Sequence, residues 1–171
     1  KAMPTTLTAN NLAYPYGDTN NKQKETLKNK KGKPIVNKTV VFNFNGKNYN
    51  QKTNSKGVAT LTINAEPKKY ATTISFINDN YVTSKKTVTV SVNSIPTSLT
   101  VNDLTCYYGV NNNLSAYLKF NNNALVNQNV VFNFDGKVYS SKTDSNGLAC
   151  FSFQAEPNTY LTKVSFSKIG Y

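Results

Sequence analysis

The sequence contains an internal repeat, and this repeat limits the possible folds more than any other feature of the chain. Residues 38–76 align without a gap with residues 128–166, and 20 of the 39 aligned positions are identical. Two copies of one structural unit explain this self-similarity, and we place them at residues 1–92 and 93–171. Upstream of the ungapped block, the matches pair Pro4, Leu7, Leu12, Tyr16 and Gly17 with Pro96, Leu99, Leu104, Tyr108 and Gly109.

Apolar residues in each copy follow the two-residue period of β-strands. Val40, Phe42 and Phe44 stand at alternate positions, which predicts one buried face of a strand. The dipeptides N-G and D-G that follow this strand in the two copies predict two-residue hairpin turns. Further inward-facing positions are predicted at Ala59, Leu61, Ile63, Ile74 and Phe76, and in the second copy at Ala149, Phe151, Phe153, Val164 and Phe166.

The number and spacing of the predicted strands indicate the fold class. About seven short strands separated by turn residues are typical of an immunoglobulin-like sandwich. The first copy ends with an alternating segment, residues 87–92, but Tyr81 aligns with Tyr171, so this last strand has no counterpart in the second copy. We therefore predict an all-β chain of two tandem immunoglobulin-like β-sandwich domains, the second lacking its last strand. The missing strand is expected in residues beyond Tyr171, or else from another molecule that adds a strand to the exposed edge.

The order of the motifs resembles that of bacterial Ig-like repeats. These motifs are V-x-F-x-x-x-G-x-x-Y, K-T-x-S-x-G-x-A and T-V-T-V-x-V, and Tyr70 and Tyr160 stand where a tyrosine corner would lie. Such repeats occur in large surface proteins of bacteria and methanogenic archaea. The composition, rich in lysine and asparagine, is similar to that of adhesin-like proteins of gut methanogens.

This resemblance implies a non-catalytic stalk or spacer segment of a cell-surface adhesin-like protein, located outside the cell. Its partners would be neighbouring Ig-like repeats of the same chain. The junction at residues 92–96 is short, lacks glycine and contains a proline, which favours a spacer. The alternative is an Ig-like module that directly binds carbohydrate or a partner protein on another cell, such as a host or microbial surface glycan or protein.

The charge of the chain is strongly positive and unevenly distributed. The net charge is +12, and all twenty basic residues are lysine. Seven lysines fall within residues 22–38, where Glu25 is the only acidic residue. Such a cluster is either a patch for an anionic polymer or a solvated face. Because arginine is absent, bidentate contacts to phosphates and bases are missing, and we expect no nucleic-acid partner. No apolar run is long enough for membrane insertion within this segment.

Catalytic and metal-binding motifs are missing from the sequence. Histidine is absent, which excludes Ser-His and Cys-His catalytic pairs and the usual zinc clusters. The acidic residues are scattered, whereas calcium requires several clustered oxygen ligands. We therefore expect no enzyme activity, no cofactor and no metal site.

The two cysteines both lie in the second copy. Cys106 and Cys150 correspond to Tyr14 and Thr60 of the first copy, so the two thiols are present together and absent together. This favours a disulfide, although the distance between them does not follow from the sequence. The alternative is two independent free thiols.

Two further features are candidates for function. Tyr107, Tyr108 and Tyr117 form a candidate binding patch that could stack on sugar rings, although ordinary packing on a sheet also explains exposed tyrosines. Glu25 is the only acidic residue that the alternation places inward. It could assist a crosslink between lysine and asparagine side chains, or it could simply mark a poorly amphipathic strand.

Overall fold

The computed structural model describes residues 1–171, and its regular structure consists of β-strands without helices. The chain divides into two compact units, built mainly from Lys1–Ser94 and Ile95–Ile169. The strands of the first unit are β1 (Thr5–Ala9), β2 (Leu12–Pro15), β3 (Lys22–Asn29), β4 (Thr39–Phe44), β5 (Lys47–Lys52), β6 (Val58–Thr62), β7 (Lys68–Phe76) and β8 (Ser84–Asn93). Those of the second unit are β9 (Ser98–Val101), β10 (Asn112–Phe120), β11 (Asn123–Ala124), β12 (Asn129–Phe134), β13 (Lys137–Lys142), β14 (Leu148–Phe153) and β15 (Lys163–Ser165).

The first unit is a sandwich of two sheets. One sheet has the strand order β1-β3-β6 and the other has the order β2-β8-β7-β4-β5. All neighbouring strands are antiparallel except β2 and β8, which are parallel. The alternating residues predicted to face inward on β4, namely Val40, Phe42 and Phe44, are buried between the sheets. This arrangement confirms the predicted immunoglobulin-like fold class.

The second unit repeats this architecture with fewer strands. One sheet has the order β11-β10-β14, with β9 also pairing with β10, and the other has the order β13-β12-β15. Its core is formed by Leu114, Ala116, Leu118, Val130, Phe132, Phe134, Ala149 and Phe151. The strands within residues 95–171 are those matched to β1 and β3–β7, together with the short β11.

The hairpin turns between the matched strands confirm the N-G and D-G prediction. Asn45 and Gly46 connect β4 to β5 with φ angles of 49° and 74°, and Asp135 and Gly136 connect β12 to β13 with angles of 49° and 71°. Two consecutive positive φ angles define the type I′ turn, whose twist matches that of the flanking strands.

Glycine is required at the turn before β6 and at its counterpart before β14. Gly57 and Gly147 have φ angles of 74° and 76°. A Cβ atom at these positions would lie 2.5 Å from the carbonyl oxygens of Leu27 and Leu118, respectively. The close backbone approach and the left-handed conformation both explain the glycine in the repeated S-x-G motif.

The tyrosine corners are present in both units. The Tyr70 hydroxyl donates a hydrogen bond of 2.9 Å to the backbone oxygen of Glu66, and the Tyr160 hydroxyl donates one of 3.1 Å to that of Glu156. Tyr70 is buried, whereas Tyr160 is only half-buried. The repeated A-E-P segment therefore supplies the acceptor in each unit, as the motif predicts.

Candidate functional site

The two units differ most at the place that β8 occupies in the first one. There β8 lies between two strands. It pairs with β7 along all nine residues of Lys68–Phe76 and with β2 along Leu12–Pro15. The second unit has no strand at this place, and we call the resulting space, bounded by residues 101–106 and 158–162, the slot.

The absence of a β8 equivalent shortens the neighbouring strand. β15 contains only Lys163–Ser165, whereas the matched strand β7 contains nine residues. β15 pairs with β12 in the same register in which β7 pairs with β4 through residues 73–75. β15 is therefore limited to the residues that pair with β12. Residues 159–162 belong to no strand.

The residues on the other side of the slot also form no strand. The only strand that pairs with β2 in the first unit is β8. The matched residues 104–107 of the second unit have no strand structure. Leu104, which corresponds to the half-buried Leu12, is 44% exposed.

Side chains that β8 covers in the first unit are less buried in the second. Ile74 and Phe76 are 0% and 1% exposed, but their counterparts Val164 and Phe166 are only half-buried. Ile63 is likewise buried and Phe153 half-buried. The slot therefore exposes the flank of an apolar core to solvent.

The slot encloses a cavity of about 610 Å³. Its lining includes the core residues Leu114 and Phe134 together with Leu104 and the half-buried Phe153 and Tyr160. A second cavity of about 320 Å³ shares Phe134 and Tyr160 with the first.

The two cysteines lie in different surroundings, since Cys106 belongs to no strand and Cys150 is part of β14. Cys106 lines the slot. Cys150 is exposed on β14, where its Sγ atom lies 3.5 Å from the Ser115 hydroxyl. Both are free thiols, so the structure does not bring the predicted pair together. A disulfide between Cys106 and Cys150 stays a prediction.

The three tyrosines of the predicted binding patch are all exposed but are not gathered together. Tyr107 and Tyr108 are 78% and 66% exposed and lie near Asn112 at the start of β10. Tyr117 lies five residues further along β10, which corresponds to about 17 Å of strand. Tyr108 lines the smaller of the two cavities.

The lysine cluster of residues 22–38 covers a solvent-facing surface. Lys22, Lys24 and Lys28 alternate with buried residues on β3 and are exposed. No group of three or more acidic or cysteine side chains that could hold a metal ion is present. None of the structure's elements is a helix long and apolar enough to cross a membrane.

Glu25 is the most unusual polar residue of the first core. Its side chain is fully buried between Ala9 and Ala59 of the neighbouring strands, which confirms that it points inward. Neither carboxylate oxygen has a hydrogen-bond partner, so no lysine or asparagine is bound to it. Burial raises its pKa to about 7, and the nearby backbone of Thr8 and the charge of Lys86 only partly offset this rise.

Of the residues that line the slot, the sequence predicts Cys106 as a site residue but not Asp103 or residues 158–162. The signal that identifies them is the alignment with the first unit, because Asp103 matches Asn11, whose side chain bonds to β8. Only the structure of the first unit shows which residues touch that strand.

Comparisons with known proteins concern the fold. No protein-family model matches the sequence, and no curated protein matches it. The chain is similar to the solved D0-D1 domain of intimin, at 19% identity and a TM-score of 0.37, over 95% of this chain and 90% of that one. It is similar to the Yersinia pseudotuberculosis adhesin InvE at 16% identity and a TM-score of 0.39, over 94% of this chain and 58% of that one.

A third similar structure is a Ca²⁺-stabilized adhesin that helps an Antarctic bacterium reach out and bind ice. The identity is 12% and the TM-score 0.34, over 95% of this chain and 47% of that one. This chain thus spans about half the length of that adhesin. The assignment of the immunoglobulin-like fold here rests on the strand order and register of the chain itself.

Proposed function

We propose that this chain is a non-catalytic stalk segment of an extracellular, cell-surface adhesin-like protein, acting in tandem with further Ig-like repeats. The source would be a bacterium or a methanogenic archaeon, in line with the lysine- and asparagine-rich composition. A stalk must transmit tension without unfolding. The parallel pairing of β2 with β8 in the first unit is the observation that carries the proposal.

This pairing resists force because of its geometry. β2 lies near the start of the unit and β8 at its end, and the two strands are parallel over residues 12–15 and 90–93. Tension on the two ends would pull these strands in opposite directions along their length. The hydrogen bonds of a parallel ladder would then be sheared together instead of being broken one after another.

A second set of contacts ties Met3 and Thr5, at the start of the unit, to the residues that precede β8. The amide of Met3 donates a hydrogen bond of 3.0 Å to the oxygen of Asn80, and the amide of Val82 donates one of 2.9 Å to the oxygen of Met3. The Thr5 hydroxyl donates to the oxygen of Val82 at 2.9 Å. The start of the first unit is therefore hydrogen-bonded to the segment that leads into its last strand.

Force spectroscopy on single molecules, pulled through tags at both ends, tests the stalk proposal. We expect one high-force unfolding event, whose length increment matches the first unit. Leu12→Pro removes an amide of β2 that faces β8 and should lower that force, while the control Leu12→Ile should leave it unchanged. An unaltered force in Leu12→Pro, or low force for both units, would contradict the proposal.

Direct binding of a carbohydrate is the second candidate function. The exposed ring of Tyr108 borders the smaller cavity together with Gln154 and Glu156, a combination of aromatic and polar groups that suits a sugar. Glycan-array binding by the whole chain that Tyr108→Ser abolishes, and that the control Tyr117→Ser preserves, would favour this function over the stalk. The stalk proposal expects no binding.

A further inference from the structure

We propose that one end of the first unit binds a flexible, linear polymer of phosphate groups that carries no bases. We call this surface the lysine end and define it as residues 28–38 and 53–57, the segments that lead into β4 and β6. The proposal goes beyond the stalk function and does not depend on it, because polymer binding and resistance to force are measured separately.

The two segments of the lysine end are separated in the sequence but lie against each other. The amide of Leu27 donates a hydrogen bond of 2.8 Å to the oxygen of Gly57. A Cβ atom at Gly57 would lie 3.0 Å from the Cβ atom of Pro34. Folding therefore brings the turn that carries Lys56 onto the segment that carries the other lysines.

The lysine end concentrates positive charge. It contains six lysines and no acidic residue. Five of the six are exposed, namely Lys28, Lys30, Lys31, Lys33 and Lys56. Like charges held on one small surface repel each other, and a polyanion that lies across them relieves this repulsion.

Two asparagine side chains fix the backbone from which these lysines project. The Oδ1 atom of Asn29 accepts hydrogen bonds from the amides of Lys31 and Lys33 at 2.9 and 3.0 Å. The Oδ1 atom of Asn54 accepts one from the amide of Lys56 at 2.9 Å. Because both turns are already ordered, a partner binds without the entropic cost of ordering them.

The second unit forms the same end without the charge. The amide of Leu118 donates a hydrogen bond of 2.8 Å to the oxygen of Gly147, the same bond that joins the two segments in the first unit. The matched residues 119–128 and 143–147 contain only one lysine and one acidic residue. This part of the fold therefore does not require the lysines, and the second unit is an internal control for them.

The chemistry of the lysine end selects the kind of polyanion. Lysine contacts a phosphate as a point charge and does not require a fixed orientation of it. Neither segment contains an aromatic residue on which a base could stack. Because the lysines project from two turns, a stiff duplex would reach few of them at once, whereas a flexible chain can bend to contact them all. A phosphate polymer without bases therefore fits this surface better than a nucleic acid.

Titration of the native chain with fluorescently labelled long-chain polyphosphate tests the proposal. We expect an affinity that falls with salt as it does for single strands, by about 0.7 in log K per unit of log salt for each contacted phosphate. Orthophosphate at the same total phosphate concentration should not compete, and duplex DNA should bind at least tenfold more weakly. Competition by orthophosphate, or an equal affinity for DNA, would overturn the proposal.

Two variants of equal net charge locate the site. The loss variant removes four exposed lysines of the lysine end and carries Lys30→Gln, Lys31→Gln, Lys33→Gln and Lys56→Gln. The control variant removes four exposed lysines of the same unit away from that end and carries Lys22→Gln, Lys47→Gln, Lys68→Gln and Lys69→Gln. Polyphosphate should bind the loss variant at least tenfold more weakly than the native chain and the control variant less than threefold more weakly. Equal weakening in both would indicate diffuse attraction by net charge and would overturn the proposal.

A gain-of-binding variant keeps the proposal testable if the loss variant fails to fold. Asn123→Lys, Asp144→Asn and Asn146→Lys give the second unit the residues that the first unit carries at the matched positions. Because these changes form a second lysine end, polyphosphate binding should strengthen at least threefold. No gain in this variant, or no binding of polyphosphate by the native chain, would overturn the proposal.

Discussion

The two repeats share their hairpins, their glycine turns and their tyrosine corners, but they do not complete the same sandwich. The first buries sixteen apolar residues in its core and the second eight. Three of the additional residues are the valines of β8 itself, and others, such as Ile74 and Phe76, are residues that β8 covers. Without a strand at this place, the second core lacks the side chains of that strand, and the residues beneath it are also less buried.

The comparison also shows that a strand is a property of a sheet and not only of its local sequence. Residues 158–166 retain a β-type sequence with Tyr160, Val164 and Phe166 at matched inward positions. Only the three residues that pair with β12 are found as a strand. Backbone groups without a partner strand are left to solvent, and the ladder ends where the pairing ends.

The largest expected effect is a difference in stability between the repeats. Burial of three valine side chains contributes roughly 1.5–3 kcal/mol each, so the first repeat should be more stable by several kcal/mol. We expect two transitions in urea, with amides of residues 158–166 exchanging hydrogen rapidly and those of residues 68–76 slowly. A single urea transition with uniform protection from hydrogen exchange would contradict the expected difference in stability.

The next effect concerns Glu25, which has Ala116 as its counterpart in the second repeat. Because burial raises the pKa of Glu25 from 4.5 to about 7, the folded state holds a proton that the unfolded state releases. The free energy of unfolding of the first repeat should therefore fall as the pH rises from 4.5 to 7, by roughly 3 kcal/mol. Above pH 8, the ionisation of Glu25 should change the free energy of unfolding little.

Urea titrations at pH 4.5 and pH 8 measure this effect. Glu25→Gln should remove most of the pH dependence from the transition of the first repeat. The exposed Glu66 provides the control, and Glu66→Gln should preserve the dependence. A pH dependence that persists in Glu25→Gln would show that another group carries it.

The tyrosine corners should differ in strength between the repeats. Tyr70→Phe removes a buried hydrogen bond and should lower the free energy of unfolding by about 1 kcal/mol. Tyr160→Phe removes the same bond where solvent already reaches the ring, and its effect should be smaller. Equal effects in paired urea melts would indicate that the slot is less accessible to solvent than the structure shows.

The smallest expected effect concerns the lysine cluster. Simultaneous replacement of Lys22, Lys24 and Lys28 by glutamine should change stability by no more than about 0.5 kcal/mol, because these side chains are solvated. Fluorescence anisotropy should detect no submicromolar binding of the native chain to duplex DNA at physiological salt. Salt-sensitive binding that the triple variant loses would identify a nucleic-acid site instead.

Much of the fold was predictable because its determinants are local. Alternating residues on β4 and β6 identified the buried faces, and the N-G and D-G pairs identified the type I′ hairpins. The inward position of Glu25 followed from the same alternation. These features depend on neighbours within a few residues, and for this reason the sequence displays them directly.

The candidate site depended on distant pairings that the sequence does not display. Residues 104–107 keep apolar positions but form no strand, because the partner that β2 finds in β8 is missing. Cys106 lines the slot outside any strand whereas Cys150 is exposed on β14, and Tyr117 lies far along β10 from Tyr107.

The sequence by itself therefore determined the repeated unit and its strand faces and turns. The tertiary structure alone decided which of the matched segments pair, since β15 contains only three residues and residues 104–107 form no ladder. The physical reason is that side-chain alternation is encoded along the chain. Strand pairing, in contrast, requires backbone partners that are brought together only by folding.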